Sequence, residues 1–304
     1  MPKKVKLIFN PTANLGRAWS VASALRPIVA EFGNADWTGT VYPTHATELA
    51  RQAAEEGYET VVAMGGDGTM HEVLNGLMQV PADHRPRMGI VPLGSGNDLA
   101  FSCDISTNPE EAMRQALSGA PMAVDVGIVR DGRGRQEYWA NSFGIGFDTI
   151  VTMHSRKVPL FQGFTVYLIA VLQTILFDYQ PFDLQIKVDG QEWRREYMLF
   201  VLMNGKREGG GFHVTPASLP DDGLLDYLAV DKVSRLKMLQ ILPAVLNGTH
   251  GGMKECKLGT FRQLELVSKQ PLYIHLDGEI FATPAARVDQ LSVEILPGAL
   301  QIVR

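Results

Sequence analysis

Three short turns carry the residues best suited to chemistry. Asn10-Pro11-Thr12-Ala13-Asn14-Leu15-Gly16-Arg17, Gly65-Gly66-Asp67-Gly68-Thr69 and Leu93-Gly94-Ser95-Gly96-Asn97-Asp98 each follow a short apolar run. Glycine lets backbone N–H groups approach phosphate oxygens closely, and a helix starting near Thr69 would aim its positive end at the same anion. One such turn alone is more often structural, because glycine is common between a strand and a helix. Three in succession, one with Asp67 and another with Asn97-Asp98, outline a phosphate cradle. The usual nucleotide signatures are missing: there is no P-loop pattern, Gly144-Ile145-Gly146 lacks the third glycine of a dinucleotide fingerprint, and the protein-kinase set is not present. Phosphoryl transfer also asks for a metal and for a base near the acceptor hydroxyl. Asp67, Asp98, Asp125, Asp277 and Glu279 are the carboxylates expected around one cleft. Two of them have competing roles, since Asp125 could simply end a strand and Asp277-Gly278 is also a hairpin signal. The seven histidines show no paired metal spacing, so His45, His213 and His275 read as surface or core residues. Gly209-Gly210-Gly211 is either a flexible lip or a wide turn.

The elements that must position these turns alternate over the first 120 or so residues. Val5 to Phe9, Thr60 to Met64 and Met88 to Val91 read as buried strands. Ala18 to Phe32, Thr47 to Glu56, Thr69 to Leu77 and Pro109 to Leu117 read as helices, with Thr47 and Asn108 as N-caps. Alternation of this kind predicts a parallel sheet, which binds ligands at the carboxyl ends of its strands. After about Ala123 strands dominate: Val124 to Val129, Gln136 to Ser142, Asp183 to Val188, Tyr197 to Met203, Leu224 to Val230, Gln263 to Val267, Leu272 to Leu276 and Leu291 to Leu296. Only the Val158 segment and Ser234 to Leu246 interrupt them as helices. The expected architecture is an N-terminal parallel-sheet α/β domain over 1–123 and a second, mostly antiparallel β domain over 124–304. Whether the last residues return to the first domain stays open.

Composition narrows the function classes. The chain has 304 residues, 45% hydrophobic and 20% charged, the balance of a globular protein. Its net charge of −5 provides no basic field for nucleic acid. Cys103 and Cys256 are far apart and form no CxxC pair, which fits a reducing cytoplasm. The N-terminal apolar run is too short for a signal peptide and reads as the first strand. Val158 to Phe177 is uncharged for twenty residues, but Gln162, Thr165, Gln173 and Thr174 interrupt it. It reads as a buried helix in preference to interfacial contact or a membrane span. Phe161, Phe164, Leu168, Leu172, Ile175 and Leu176 lie near a helical stripe that could line an acyl-chain pocket. Arg156 and Lys157 before it are expected to favour weak, reversible contact with anionic membranes.

The Gly65 to Thr69 turn, followed by Glu72-Val73 and Asn75-Gly76, resembles the signature of the diacylglycerol kinase catalytic-domain family. Asn10-Pro11, Pro92-Leu93-Gly94-Ser95-Gly96-Asn97-Asp98, Asp221-Asp222-Gly223-Leu224-Leu225 and Asp277-Gly278-Glu279 resemble its other blocks in order. The GGDG element alone is shared with NAD kinases and phosphofructokinases; the full series is far more specific. The whole chain is most similar to the soluble bacterial lipid kinases. The resemblance implies an ATP- and Mg-dependent kinase acting on a lipid hydroxyl, diacylglycerol or a relative. The alternatives are an NAD kinase-like enzyme or a nucleotide- or lipid-binding module without turnover. It places ATP contacts at Asn10, Pro11, Thr12, Ala13 and Asn14, at Thr44, at Gly65, Gly66, Asp67, Gly68, Thr69, Met70, His71 and Glu72, and at Gly94, Ser95, Asn97 and Asp98. It makes Asp277 and Glu279 a catalytic acidic pair beside Asp67, with Glu279 the proton acceptor. It also implies a magnesium site at Leu219, Asp222 and Leu224, where the leucines would offer backbone carbonyls. His71 stands where the family has asparagine, and Asn14 where glycine is frequent. The lipid itself and the oligomeric state are not legible.

Overall fold

A computed structural model describes residues 4–16, 18–157 and 163–304. The chain divides into two compact units: residues up to Asp125 with Gly298–Arg304, and Val126–Pro297.

The first unit contains β1 (Val5–Phe9), α1 (Ala18–Phe32), β2 (Ala35–Gly39), α2 (His45–Glu55), β3 (Thr60–Gly65), α3 (Asp67–Leu77), β4 (Arg87–Pro92), α4 (Asp98–Ser102) and α5 (Pro109–Ser118). β2, β1, β3 and β4 lie side by side and parallel. Strands buried on both faces have no polar side to show, which is why β3 is apolar after Thr60 and fully buried. The register is level at the carboxyl ends: Phe9 lies opposite both Met64 and Gly39, and Gly65 opposite Pro92. The turns after these strands therefore share one edge. β2 and α4 were not legible in advance: Ala-Asp-Trp-Thr-Gly is short and half-exposed, and α4 is a single turn. Asn108 does cap α5, its Oδ1 accepting from the Glu110 and Glu111 N–H groups with Pro109 next in line. The expected cap at Thr47 is corrected, because α2 starts two residues earlier and the Thr47 hydroxyl donates to the Glu72 carbonyl.

The chain passes between the units within β5 (Pro121–Asp131) and again in the last strand. The second unit holds β6 (Gln136–Trp139), β7 (Ser142–Gly146), α6 (Phe147–Ser155), α7 (Phe164–Phe177), β8 (Phe182–Val188), β9 (Gln191–Met203), β10 (Leu225–Asp231), α8 (Arg235–Leu246), β11 (Cys256–Phe261), β12 (Gln263–Ser268), β13 (Ile274–Leu276), β14 (Glu279–Ala282) and β15 (Gln290–Val303). Its antiparallel order is β14-β13-β7-β9-β8-β12-β15, with β10 between β9 and β11. Both faces of β9 are covered over residues 197–203. Phe200 and Leu202 enter a core with Trp139, Phe143 and Phe261, while Leu199, Val201 and Met203 face α6, α7 and α8. The expected single strand from Gln136 to Ser142 is two strands, β6 and β7, separated at Ala140-Asn141. Helix α6 was missed because Phe-Asp-Thr-Ile-Val-Thr is rich in β-branched residues, which bias a reading toward strand. The helix sought over Val158 to Phe177 begins at Phe164; residues 158–162, with Phe161, lie outside the described residues. Ile175 is fully buried and Phe164 packs on Phe212, whereas Leu172 and Leu176 are exposed. Among the described residues no helix is long and apolar enough to cross a membrane.

Candidate active site

Hydrogen bonds join the strand-end turns of the first unit into one object. Asn10 donates its N–H to the Met64 carbonyl at 2.9 Å and its Nδ2 to Thr69 Oγ1 at 3.4 Å, so the first turn is tied to the second. Its Oδ1 accepts from the Thr12 N–H and hydroxyl, closing the turn before the Ala13–Gly16 helical turn that contains Asn14. Asp67 opens α3, and its two carboxylate oxygens accept the Asn97 and Asp98 N–H groups at 2.8 and 2.9 Å. These are the amides at the start of α4, which have no helical partner, and a carboxylate there is electrostatically favourable. The second and third turns touch through bare backbone: a Cβ on Gly94 would lie 2.5 Å from Gly66 Cα. Asn97, at φ 53, closes its own loop by exchanging side-chain hydrogen bonds with Gly94.

The remaining expected contacts divide by exposure. Thr12, Thr44 and Ser95 are exposed, and Pro11, Ala13, Gly66, Asp67, Gly68 and Gly94 are half-buried along the same edge. Gly65, Thr69, Met70, His71 and Asp98 are buried, so their contribution is to the frame. Glu72 has a role the sequence did not disclose: its two oxygens accept the Thr44 and Ala46 N–H groups at 2.9 and 3.0 Å. That bond holds Thr44 in a left-handed conformation (φ 72) ahead of α2. Asp125 is buried and accepts the Gly298 N–H at 2.7 Å, pinning the residue at which the chain re-enters the first unit to the one at which it leaves.

The other expected residues belong to the second unit. Asp277 is nearly buried, and three successive amides converge on it: Ala140 at 3.1 Å, Asn141 at 2.8 Å and Ser142 at 3.0 Å. Asp277 and Gly278 have φ of 50 and 83, the pair of positive values that a tight two-residue hairpin requires. Glu279 follows and is half-exposed; its Oε2 is 2.7 Å from Arg156, which also donates to the Gly278 carbonyl. No local sequence pattern links Arg156 to a residue 123 positions away, so the sequence marks it only as a cation ahead of an apolar segment.

Asp222 and Leu219 are exposed, and Asp222 Oδ1 accepts the Leu224 N–H at 3.0 Å. One carboxylate with neighbouring backbone carbonyls is a hard-oxygen set that fits magnesium with water completing the shell. Nearby, burial pushes the Asp226 carboxyl up to about 6; the charge of Asp222 adds to the shift and the Ser218 hydroxyl opposes it.

A glycine-walled cradle at the carboxyl ends of a parallel sheet, followed by an antiparallel unit bearing an acidic hairpin, defines a phosphotransferase of the α/β nucleotide-binding kind. Within that class the chain belongs to the diacylglycerol kinase catalytic-domain family. Residues 4–129 match the diacylglycerol kinase catalytic domain, and residues 141–304 the YegS C-terminal NAD kinase beta sandwich-like domain. A probable lipid kinase YegS-like protein of Chromohalobacter salexigens is 34% identical over 83% of this chain and 78% of its own length. One from Yersinia enterocolitica is 32% identical over 84% of this chain and 82% of its own. The crystal structure of a diacylglycerol kinase from Bacillus anthracis superposes with a TM-score of 0.74 at 21% identity, covering 99% of this chain and 96% of that one, a likeness of fold.

Proposed function

We propose that this chain is an ATP- and magnesium-dependent lipid kinase that moves the γ-phosphoryl group to a lipid hydroxyl, that of diacylglycerol or a related lipid. The observation that carries this reading is the Asp67 carboxylate, which bonds two glycine turns into one cradle at the strand ends. In this reading the Asn10 to Asn14 turn, Thr44, the Gly66 to Gly68 backbone and Ser95 contact the nucleotide. Gly65, Thr69 to Glu72, Asn97 and Asp98 hold those contacts in place. Such a preorganised set of amides stabilises charge on the transferred group without reorganising during reaction. Glu279 accepts the hydroxyl proton while the lipid oxygen attacks phosphorus and ADP departs. Arg156 engages one oxygen of that carboxylate, Oε2, at 2.7 Å. Asp277 spends its oxygens on backbone amides and orients the turn. Magnesium, when bound, screens phosphate charge, and Leu219, Asp222 and Leu224 would hold an ion that braces their loop.

A lipid acceptor must be met at a bilayer. Arg235 ties the start of α8 to the Ile175 carbonyl near the end of α7, leaving Leu172, Leu176, Phe177, Leu236 and Leu239 exposed. That apolar surface supports peripheral contact. The test is purified protein with γ-labelled ATP, a lipid panel and NAD. Label in diacylglycerol or a related lipid is expected. Label only in NAD would overturn the lipid acceptor, and ATP binding with no labelled product would overturn the kinase reading.

A further inference from the structure

The His275 ring on β13 is fully buried beneath the turn that carries Glu279. Its Nδ1 accepts the Gly278 N–H at 3.3 Å. Its Nε2 lies 2.8 Å from Asp148 Oδ2 on α6 and 3.3 Å from Glu208 Oε1, which also accepts the Ser142 hydroxyl at 2.8 Å. One tautomer satisfies both ends: the proton on Nε2, shared toward the carboxylates, and Nδ1 bare to receive the amide. The place is built for this ring, since a Cβ on Gly144 of β7 would overlap both the imidazole and the Asp148 carboxylate.

Asp148, Glu208 and His275 are close enough together to hold a metal ion. The chemistry at the other side of the ring opposes it. A metal on Nε2 leaves a neutral imidazole protonated at Nδ1, and that N–H would face the Gly278 N–H. The donor pattern fits a relay of hydrogen bonds from two carboxylates, through the ring, to a backbone amide.

We infer that His275 is a positioning residue: held by Asp148 and Glu208, its Nδ1 fixes the Gly278 amide and so aims the Glu279 carboxylate. Besides Arg156 on the Gly278 carbonyl, two further contacts grip the turn. Three amides hold the Asp277 side chain, and the imidazole holds the next residue's N–H. Glu279 begins β14 directly after these two fixed residues, so loss of the ring's acceptor lets its carboxylate swing. This inference rests on the reading of Glu279 as the proton acceptor.

The full chain is tested in three ways. On the wild type, ring-nitrogen NMR shifts are expected to show Nδ1 unprotonated and Nε2 protonated; a protonated Nδ1 overturns the proposal without any variant having to fold. Next, His275→Asn keeps an acceptor where Nδ1 stands, whereas His275→Gln reaches the carboxylates but offers none there. In His275→Gln, Gly278 amide exchange is expected to accelerate at least about tenfold and kcat to fall about 10²-fold, with the KM for ATP within about twofold. His275→Asn is expected to restore slow exchange and most of kcat. Equal losses in both variants, or unchanged Gly278 exchange in His275→Gln, overturn it. Third, stoichiometric zinc or manganese binding that His275→Asn abolishes would also overturn it, in favour of a metal site. Glu279→Gln separates the two readings: if that variant stays active the role of Glu279 falls, while the exchange of the Gly278 amide still reports on His275.

Discussion

Two aspartates, one in each unit, spend their carboxylates on backbone amides but build different things. Asp67 takes two N–H groups from the start of α4, and Asp277 takes three from the Ala140 to Ser142 segment. Each accepts backbone amides and so ties a turn to the end of a neighbouring element. Asp67 is half-exposed at the first position of a helix, and the glycines around it leave an open rim of backbone. Asp277 is nearly buried at positive φ, with an imidazole beneath the next residue. The first arrangement ties two glycine turns together at one exposed edge. The second leaves no free face and presents only the side chain that follows it. A motif aspartate can thus shape a surface or aim a neighbour, and its hydrogen-bond partners tell which.

The sharpest break of this comparison is at the aimed residue. Glu279→Gln keeps size and removes the proton acceptor, so kcat in the lipid assay should fall about 10³-fold while the melting temperature stays near that of the wild type. Loss below about threefold would end the role of Glu279.

Asp67→Asn and Asp277→Asn should then diverge. An asparagine offers one acceptor oxygen and turns its NH2 toward a backbone N–H, so neither substitution is a neutral removal of charge. Asp67→Asn should loosen the cradle, weakening ATP binding at least about tenfold and lowering kcat/KM about 10²-fold. Asp277→Asn, in a nearly closed site, should cost about 1 to 3 kcal/mol of stability, read by denaturant unfolding. Equal stability loss in both would erase the distinction between an open rim and a closed turn.

A smaller effect is expected at the aligned magnesium residues. Asp222→Ala should raise the magnesium concentration for half-maximal activity about tenfold. An unchanged titration removes the site.

The smallest effect concerns the bilayer. Leu236→Ala should reduce co-sedimentation with anionic vesicles a few-fold, about what losing the partial burial of one leucine side chain implies. Arg156, engaged with Glu279, should contribute little to that binding. Undiminished sedimentation would locate membrane contact elsewhere.

Much of the first unit was legible, because β1, β3 and β4 are almost wholly buried and the turns after them need glycine. Val5–Phe9 and Ala18–Phe32 stand where the pattern placed them, and the three turns after β1, β3 and β4 share one edge because parallel strands end together. The Asn108 cap was legible for the same reason, being a local interaction within three residues. Short or half-exposed elements such as β2 and α6 were not, since their residue types carry weak or contrary preferences. Partner choice was beyond reach altogether. Sequence alone marked Asp67, Asp277 and Glu279 as acidic residues in telling turns, because residue type and neighbouring glycines are local properties. Only tertiary structure decided that Asp67 and Asp277 accept backbone amides, that Glu72 holds Thr44, that Arg156 meets Glu279 and that His275 joins Gly278 to Asp148 and Glu208. Most of these pairs lie tens to more than a hundred residues apart, and what a carboxylate or imidazole does is set by the donors that folding brings to it.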